Sequence, residues 1–296
     1  MQTLVIGLGS MGFGAAVSCV RSGISTTGFD LNPDALERFE SAGGNTTKSL
    51  DSIANIDCVL IFVVNASQAE SVLFDSQLLS GLNPDALVIN CVTLAPSKAI
   101  EIGSRITSQG FQYIDAPVSG GAAKALEGRM SVMASASPQA MSQAKPVFDA
   151  ISEHVFELGN DAGQGSQMKL INQLLAGVHI AAAAEAMNLA AGLKMDLHQV
   201  IEVISKCAGS SWMFENRAPH IAEGDYTPLS SVNIFVKDLG IVTQEAEQKN
   251  VVTPLSDAAL TLYNKASESG LGAEDDSAIV KVLAERSGIK LPGSSA

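Results

Sequence analysis

The first 160 residues alternate short, continuous apolar runs with longer stretches of helical periodicity. Runs such as VLIFVV (59–64) are apolar without the period-two alternation that marks a half-exposed strand. Continuous apolar strands are typical of parallel sheets covered by helices on both faces. This pattern therefore predicts an α/β, Rossmann-type, doubly wound sheet for the N-terminal part of the chain.

The predicted elements of this first part follow one another in regular alternation. Strands are predicted at Thr3–Ile6, Ser25–Asp30, Asp57–Val63, Ala86–Asn90 and Phe111–Asp115, with two further strands, Met130–Ala134 and His154–Glu157, closing the domain. Helices are predicted at Met11–Arg21, Pro33–Ser41, Ser67–Phe74 and Pro96–Thr107.

The pattern changes at the turn-rich segment GNDAGQG (159–165), after which no strand is predicted. A long helix is expected from about Ser166 to Ala191, and its small residues permit close helix–helix approach. Further helices are predicted at Leu197–Ser205, Val232–Gln248, Pro254–Ser267 and Asp275–Ala284. The sequence thus predicts a sheet domain of residues 1–161 and an all-α domain of residues 162–296, of which only the tail KLPGSSA (290–296) is expected to be loosely ordered.

Composition excludes several classes of protein. With 46% hydrophobic and 17% charged residues the chain can bury a sizeable core, and a net charge of −13 argues against nucleic acid as a partner. Four scattered cysteines without ligand spacing predict free thiols and no metal site. No signal peptide is recognised, and Glu185 and Asn188 interrupt the Ala-rich stretch, so no membrane span is expected and the predicted location is the cytoplasm.

The N-terminus, TLVIGLGSMG, has the order of a phosphate-binding turn. An apolar strand leads into glycines at 7, 9 and 12, and a helical pattern follows. In such a turn Gly7 allows the tight bend, Gly9 lets the backbone approach a pyrophosphate and Gly12 lets the helix pack on the strand. The free N–H groups of the helix start favour an anion. This context predicts a dinucleotide site.

An acidic residue, Asp30, ends the second predicted strand at about the distance from Gly12 that this unit uses, roughly 20 residues. A carboxylate there accepts hydrogen bonds from the adenosine ribose and repels a 2′-phosphate. The residues that follow offer no Arg before Arg38. The predicted cofactor is therefore NAD rather than NADP.

Glycines also follow the strand that ends at Asp115, in the segment DAPVSGG (115–121). Ligands of doubly wound folds bind at the carboxyl ends of the strands, where this segment must lie. Ser119 and the backbone amides of Gly120 and Gly121 can hold a substrate carboxylate. The alternative is an ordinary glycine-rich turn.

A single lysine stands at the start of the long helix, in GQGSQMKLINQLL (163–175). Lys169 falls within the first turns, with Asn172 and Gln173 three and four residues later on the same side. Oxidation of an alcohol requires a base for the hydroxyl proton, and a lysine can serve when burial and nearby positive charge lower its pKa. A solvated surface lysine is the alternative, but the position just after the domain boundary favours catalysis.

The whole chain resembles the β-hydroxyacid dehydrogenase family, which includes 3-hydroxyisobutyrate dehydrogenases and tartronate semialdehyde reductases. The resemblance is carried by GLGSMG (7–12), DAPVSGG (115–121), GSQMKLINQLL (165–175) and FVKDLG (235–240) in family order. It implies that Lys169 is the acid–base group, that Ser119, Gly120 and Gly121 hold the substrate carboxylate, and that Thr93 and Lys237 contact the cofactor, with Asp238 beside them. The predicted cofactor-binding residues are Gly7, Leu8, Gly9, Ser10, Met11, Gly12, Asp30, Leu31, Val64, Thr93 and Lys237.

One position departs from the family, which usually has Asn four residues after the lysine where this chain has Gln173. Either Gln173 or Asn172 is then expected to orient the substrate. The segments NQLLAGVHIAAAAEAM (172–187), GSSWMFENR (209–217) and EDDSA (274–278) are most similar to the L-threonate dehydrogenase branch, which oxidises the C2 hydroxyl of a four-carbon sugar acid.

Several alternatives stay open at this point. The substrate is expected to be a small hydroxy acid, and 3-hydroxyisobutyrate oxidation, tartronate semialdehyde reduction and a non-catalytic dinucleotide-binding regulator remain possible functions. Trp212, Phe214 and Asn216 are expected either in a loop over the pocket or, for Trp212, in the core. The long apolar helix predicts a homodimer or homotetramer, and the histidines are assigned no ligand role.

Overall fold

The computed structural model describes residues 1–51 and 53–293. Contacts between Cα atoms divide the chain into two compact units, Met1–Lys169 and the part from Leu170 onwards. The division lies a few residues beyond the predicted domain boundary, inside a helix that begins at Gln164. The end of the tail expected to be loosely ordered, 294–296, lies outside the described residues.

The first unit is built on a six-stranded parallel sheet with the strand order β3-β2-β1-β4-β5-β6. Its strands are β1 (Gln2–Ile6), β2 (Ser25–Phe29), β3 (Asn45–Thr47), β4 (Ile56–Ile61), β5 (Leu82–Asn90) and β6 (Gln112–Asp115). This is the order of the doubly wound dinucleotide-binding fold, in which successive strands are added on one side of β1 up to β3 and on its other side from β4 onwards. The predicted fold class is confirmed.

Both faces of this sheet are buried, which explains the continuous apolar runs. Along β4, Leu60 belongs to one apolar cluster, whereas its neighbours Val59 and Ile61 belong to the cluster on the opposite face. Successive strand residues point to opposite sides, so helices must cover both. The covering helices are α1 (Ser10–Arg21), α2 (Pro33–Ser41), α3 (Ala66–Glu70), α4 (Pro96–Thr107), α5 (Gly121–Glu127) and α6 (Pro138–Ile151).

The two predicted closing strands are present but belong to a second sheet. This three-stranded sheet has the order β7-β8-β9, formed by β7 (Val118–Ser119), β8 (Met130–Ala134) and β9 (Ser152–Glu157). Strand β7 runs antiparallel to β8, with Ser119 opposite Ser131. An isolated bridge between Asp115 and Ser135 ties the end of β6 to this sheet.

The second unit is helical, as predicted. It contains most of α7 (Gln164–Gly192), with α8 (Leu197–Ile204), α9 (Trp212–Glu223), α10 (Val232–Gln248), α11 (Pro254–Ala266) and α12 (Ile279–Ser287). Its apolar core includes Ile180, Met187 and Phe235, and the ring of Phe235 stacks on Tyr263. A short 3₁₀ turn, Asp276–Ala278, precedes α12 where one continuous helix was predicted.

The prediction of a loop around Trp212 is wrong. Residues 212–223 form helix α9, which the side chain of Ser211 caps by accepting a hydrogen bond from the Phe214 amide at 3.0 Å. Phe214 is buried in the core of this unit, whereas Trp212 is 55% exposed. The first turn of a capped helix therefore occupies the place assigned to a covering loop, and Trp212 is not a core residue.

Among the described residues, α7 is long and apolar enough to cross a membrane when only length and composition are considered. Its mean hydropathy stays high despite Glu185 and Asn188, because the many Ala, Leu, Ile, Val and Met residues outweigh them. Core helices of water-soluble proteins meet the same criterion. Here Ile180, Ala184 and Met187 of α7 are buried in the apolar core of the second unit.

Candidate active site

The parallel strands of the first unit end in register, which brings the predicted site residues to one edge of the sheet. Ile6 pairs with Phe29 and with Ile61, Ile61 with Asn90, and Asn90 with Asp115. Because the carboxyl ends of parallel strands share an edge, the segments that follow them lie side by side. The predicted site residues of this unit that directly follow these ends are Gly7–Gly12, Asp30 and Leu31, Val64, Thr93, and Ser119–Gly121.

The glycine turn after β1 is shaped by two glycines that admit no side chain. Gly7 has φ +91°, and a Cβ there would lie 2.8 Å from the Phe62 carbonyl oxygen. A Cβ on Gly12 would overlap the Gly7 carbonyl oxygen. Both glycines are therefore required by the protein's own packing, as the motif predicts.

Gly9 is different, because a Cβ built there meets no atom within 4 Å. Its backbone, φ −68° and ψ −163°, is open to any residue. The space beside Gly9 lies at the start of α1, where no side chain caps the helix and the first turn has no acidic residue. Free N–H groups next to an exposed glycine form a site for an anion, so the turn fits the pyrophosphate of a dinucleotide.

Asp30 is held in place by the backbone on both sides. One carboxylate oxygen accepts a hydrogen bond from the Leu8 amide at 2.6 Å, and the other accepts one from the Asn32 amide at 2.8 Å. The side chain is half-buried, which leaves part of the carboxylate accessible. These contacts join the acidic residue directly to the glycine turn, a link that the spacing of the sequence did not reveal.

The remaining predicted cofactor residues differ in exposure. Ser10 is exposed, and Met11 and Thr93 are half-buried. Leu31 and Val64 are 89% and 52% exposed, which is unusual for apolar side chains. Two exposed apolar side chains at the same edge as Asp30 are suited to the faces of a planar base.

Lys169 is buried, with 7% of its surface exposed, and its amine donates a hydrogen bond to the Val118 carbonyl at 2.8 Å. Val118 directly precedes Ser119, so the amine lies beside the predicted carboxylate-binding segment. A solvated surface lysine is therefore excluded. The structure brings together two groups, Lys169 and the segment Ser119–Gly121, that are 48 or more residues apart in the chain.

In the segment Ser119–Gly121, the last two residues have backbone angles that only glycine adopts readily. Gly120 has φ +130° and Gly121 φ +73°. Ser119 and Gly120 are half-buried and Gly121 is exposed. A hydroxyl and adjacent main-chain amides are thus accessible to an anion.

A chain of polar side chains lies in the second unit. Gln173 is buried and donates a short hydrogen bond to the Asp238 carboxylate, and its carbonyl oxygen accepts one from Asn172 at 2.8 Å. Asp238 is 2% exposed and also pairs with the Lys237 ammonium at 2.7 Å. Both polar ends of Gln173 are therefore fixed, the nitrogen by Asp238 and the oxygen by Asn172, and sequence reasoning did not anticipate the contact with Asp238.

Sequence reasoning also missed Asp115 as a helix anchor. Its carboxylate is fully buried and accepts hydrogen bonds from the Gly163 amide, the Ser166 amide and the Ser166 hydroxyl at 2.7–2.9 Å. Burial raises the pKa of this carboxyl, and the donors from Ser166 and Gly163 oppose part of that effect. The signal was present in the sequence as an acid at the end of β6 and a serine near the start of α7.

Within the described part of the chain, no group of three His, Cys, Asp or Glu side chains is placed to hold a metal ion. All four cysteines are free, and three of them are buried.

Comparison with known proteins decides the family. Residues 2–159 match the NAD-binding domain of 6-phosphogluconate dehydrogenase, and residues 163–283 match the NAD-binding domain of NADP-dependent 3-hydroxyisobutyrate dehydrogenase. The chain belongs to the β-hydroxyacid dehydrogenase family. It is a dehydrogenase that uses a nicotinamide dinucleotide.

Members of this family with high identity match over almost their whole length. An L-threonate dehydrogenase of Haemophilus influenzae is 48% identical over 99% of this chain and 97% of its own length. One from Cupriavidus necator is 49% identical over 98% of both chains. A solved structure, 3-hydroxyisobutyrate dehydrogenase from Salmonella typhimurium, has a TM-score of 0.91 and 46% identity, covering 95% of this chain and 99% of the other.

Proposed function

We propose that this protein oxidises the C2 hydroxyl of L-threonate to the ketone of 2-dehydro-L-erythronate, with NAD as the hydride acceptor. The observation that carries the proposal is the buried Lys169 amine at 2.8 Å from the Val118 carbonyl, next to Ser119. The identity of 48–49% to L-threonate dehydrogenases supports the choice of substrate.

Lys169 is proposed as the general base of the oxidation. In its neutral form the amine has a lone pair that takes the proton from the C2 hydroxyl, and the resulting ammonium releases that proton to water. In the reverse direction the ammonium donates a proton to the ketone oxygen. The hydrogen bond to the Val118 carbonyl fixes the direction of the amine.

The substrate carboxylate is proposed to bind at Ser119–Gly121. The hydroxyl of Ser119 and the amides of Gly120 and Gly121 provide neutral donors, so they can hold an anion in a protein with a net charge of −13. Asn172 or Gln173 is proposed to orient the substrate. Both lie on α7, three and four residues after Lys169, and Gln173 is fixed by Asp238.

When bound, NAD would supply the acceptor for the hydride that leaves C2. The turn Gly7–Gly12 is proposed to hold the pyrophosphate, because the space beside Gly9 is open and the start of α1 is uncapped. Asp30 is proposed to favour NAD over NADP, since its carboxylate would repel a 2′-phosphate. Leu31 and Val64 are proposed to contact the adenine; Thr93 and Lys237 are likewise assigned to the cofactor.

A second substrate, 3-hydroxyisobutyrate, is favoured by one specific observation, the 46% identity to the Salmonella typhimurium structure of that name. The same residues would serve either hydroxy acid. The two differ in the hydroxyl groups that the pocket must satisfy, because a site built for L-threonate leaves polar groups unpaired when it binds a more apolar acid.

Assembly as a homodimer or homotetramer in the cytoplasm is also proposed. Met168, Ile171 and Leu175 form an apolar stripe on one side of α7, each 45–57% exposed. Exposed apolar stripes on helices are typical of subunit contacts. Light scattering of the purified protein measures the assembly; a monomer at micromolar concentration would contradict this part of the proposal.

The proposed function is tested with the Lys169→Ala variant and a substrate panel. The variant is expected to bind NADH like the native protein but to lose at least about 100-fold in kcat, the usual contribution of a general base. Lys145→Ala is the matched control, since Lys145 pairs with Asp149 at the surface and its loss should leave kcat unchanged.

The panel consists of L-threonate, D-threonate, the erythronates, 3-hydroxyisobutyrate and glycerate with NAD, followed by NADH absorbance. The proposal predicts the highest kcat/KM for L-threonate. Highest activity with 3-hydroxyisobutyrate or glycerate would overturn the substrate, native turnover by the Lys169 variant would overturn the role of that lysine, and no activity with any hydroxy acid would favour a non-catalytic regulator.

A further inference from the structure

The segment that leads from β6 into β7 holds the start of α7 at two places. Asp115 accepts hydrogen bonds from Gly163 and Ser166, and three residues later the Val118 carbonyl accepts one from Lys169. On α7, Ser166 and Lys169 are also three residues apart, so both lie on the same side of the helix. The two contacts therefore occur in the same order along the Asp115–Val118 segment and along α7, Asp115 with Ser166 and then Val118 with Lys169.

A third hydrogen bond holds the first turn of α7 against the end of β8. The Gly165 amide donates to the Ser135 hydroxyl at 3.0 Å, and Ser135 exchanges two backbone hydrogen bonds with Asp115. A Cβ on Gly165 would overlap the Met133 carbonyl oxygen. Residues 163, 165 and 166 are all buried, so the first turn of α7 is enclosed against β6 and β8.

We propose that Asp115 is a positioning residue for the reaction: its carboxylate sets the place of α7 along the Asp115–Val118 segment, and thereby the place of the Lys169 amine relative to Ser119–Gly121. This inference rests on the proposed function, in which that amine is the general base. Asp115 does not touch the substrate and acts through Lys169.

A carboxylate suits this task better than any neutral side chain. Three donors converge on Asp115, two from the main chain and one from the Ser166 hydroxyl. An ionised carboxylate accepts all of them, whereas Asn turns one of its two ends into a donor. The negative charge also lies at the positive end of a helix of 29 residues, which strengthens the attachment.

The test is a double-mutant cycle of Asp115→Asn with Lys169→Ala, measured as kcat of the purified full-length protein. In the native background Asp115→Asn is expected to lower kcat about 10- to 100-fold, because a displacement near 1 Å is enough for such a loss. In the Lys169→Ala background it is expected to change the residual kcat less than threefold, because the group that it positions is absent. Binding of NADH should remain native in both backgrounds.

Asp275→Asn is the matched control. Asp275 is also fully buried and accepts two main-chain amides and one serine hydroxyl, from Leu229, Ser277 and the Ser277 side chain. Both substitutions should lower the melting temperature, but Asp275→Asn should leave kcat of the folded protein within threefold of native. If Asp115→Asn does not fold, Ser166→Ala replaces it in the cycle, since that variant removes one of the three hydrogen bonds and should give the same non-additivity with a smaller loss.

The possible failures are distinguishable. Native kcat in Lys169→Ala would overturn the proposed function, and this inference with it. A strong loss in Lys169→Ala combined with equal effects of Asp115→Asn in both backgrounds would overturn only the positioning role. A kcat within twofold of native for Asp115→Asn would do the same.

Discussion

The open space beside Gly9 leads to a prediction that separates cofactor binding from folding. In the Gly9→Ala variant the new methyl group meets no protein atom, because nothing lies within 4 Å of an ideal Cβ. The backbone at this position, φ −68° and ψ −163°, is allowed for alanine. The substitution therefore places one methyl group in the space proposed for the pyrophosphate and changes nothing else in the fold.

Two opposing effects set the change in stability. Replacing Gly by Ala at a compatible backbone stabilises a protein by about 0.4–1 kcal/mol through the unfolded state. Gly9 is also the N-cap of α1, where Ala is less favourable than Gly by an amount of up to about 1 kcal/mol. The free energy of unfolding is therefore expected to stay within about 1 kcal/mol of native.

The effect on binding should be much larger. The methyl group prevents a phosphate oxygen from approaching the main-chain N–H groups at the start of α1. Hydrogen bonds to a charged group contribute roughly 1.5–3 kcal/mol each, so the loss of one corresponds to a Kd that rises about 10- to 150-fold.

Titration calorimetry with NADH measures this Kd, and urea unfolding of the protein without cofactor measures the stability. Gly12→Ala provides the contrast, because its methyl would overlap the Gly7 carbonyl oxygen and should destabilise the first unit itself. A Gly9→Ala protein of native stability whose Kd for NADH lies within threefold of native would refute the placement of the pyrophosphate.

Three further outcomes are expected. Asp30→Ser combined with Leu31→Arg should move the ratio of kcat/KM for NAD over NADP by more than about 100-fold toward NADP. The first change removes the carboxylate that repels a 2′-phosphate, and the second adds a cation at an exposed position. An unchanged ratio would contradict the role of Asp30. In Gln173→Asn the new side chain is one methylene too short to keep the hydrogen bond to Asp238. This variant should lower kcat/KM for L-threonate about tenfold relative to the other acids of the panel. Equal losses for all acids would argue against a role in specificity. Burial raises the pKa of Asp276 from 3.8 to about 6, so the folded state binds more protons than the unfolded state between these pH values. The free energy of unfolding should therefore fall by up to about 3 kcal/mol as pH rises from about 4 to about 7. Urea titrations of Asp276→Asn should lack this fall, and parallel pH profiles of the two proteins would be the contrary result.

Local pattern was sufficient for most of the first unit. Strand β8 and helices α2 and α4 have the predicted bounds, because their apolar periodicity and flanking Pro, Gly and Ser residues are local signals. Strands β3 and β7 were not predicted, since three and two residues respectively are too short to show a period. They are strands because they pair with β2 and β8, respectively, in the folded chain.

The missed helices have a different cause. Helices α6 and α9 contain Pro146 and Pro219, and a proline inside a segment argues against a helix when only the sequence is read. Packing of Phe148 and Phe214 into their cores compensates for the lost main-chain hydrogen bond. Burial of an apolar face is a property of the folded chain, so no local rule could have predicted the outcome.

By itself the sequence determined the doubly wound sheet, the glycine turn with Asp30, and the candidates Lys169 and Ser119–Gly121, because glycine spacing and apolar periodicity are local and depend on backbone geometry. Tertiary structure alone decided that Lys169 is buried against the Val118 carbonyl, that Asp115 anchors the helix which carries it, and that Gln173 is held by Asp238. These contacts join residues 48 to 65 positions apart in the chain, and only the packing of whole elements brings such groups within hydrogen-bond distance.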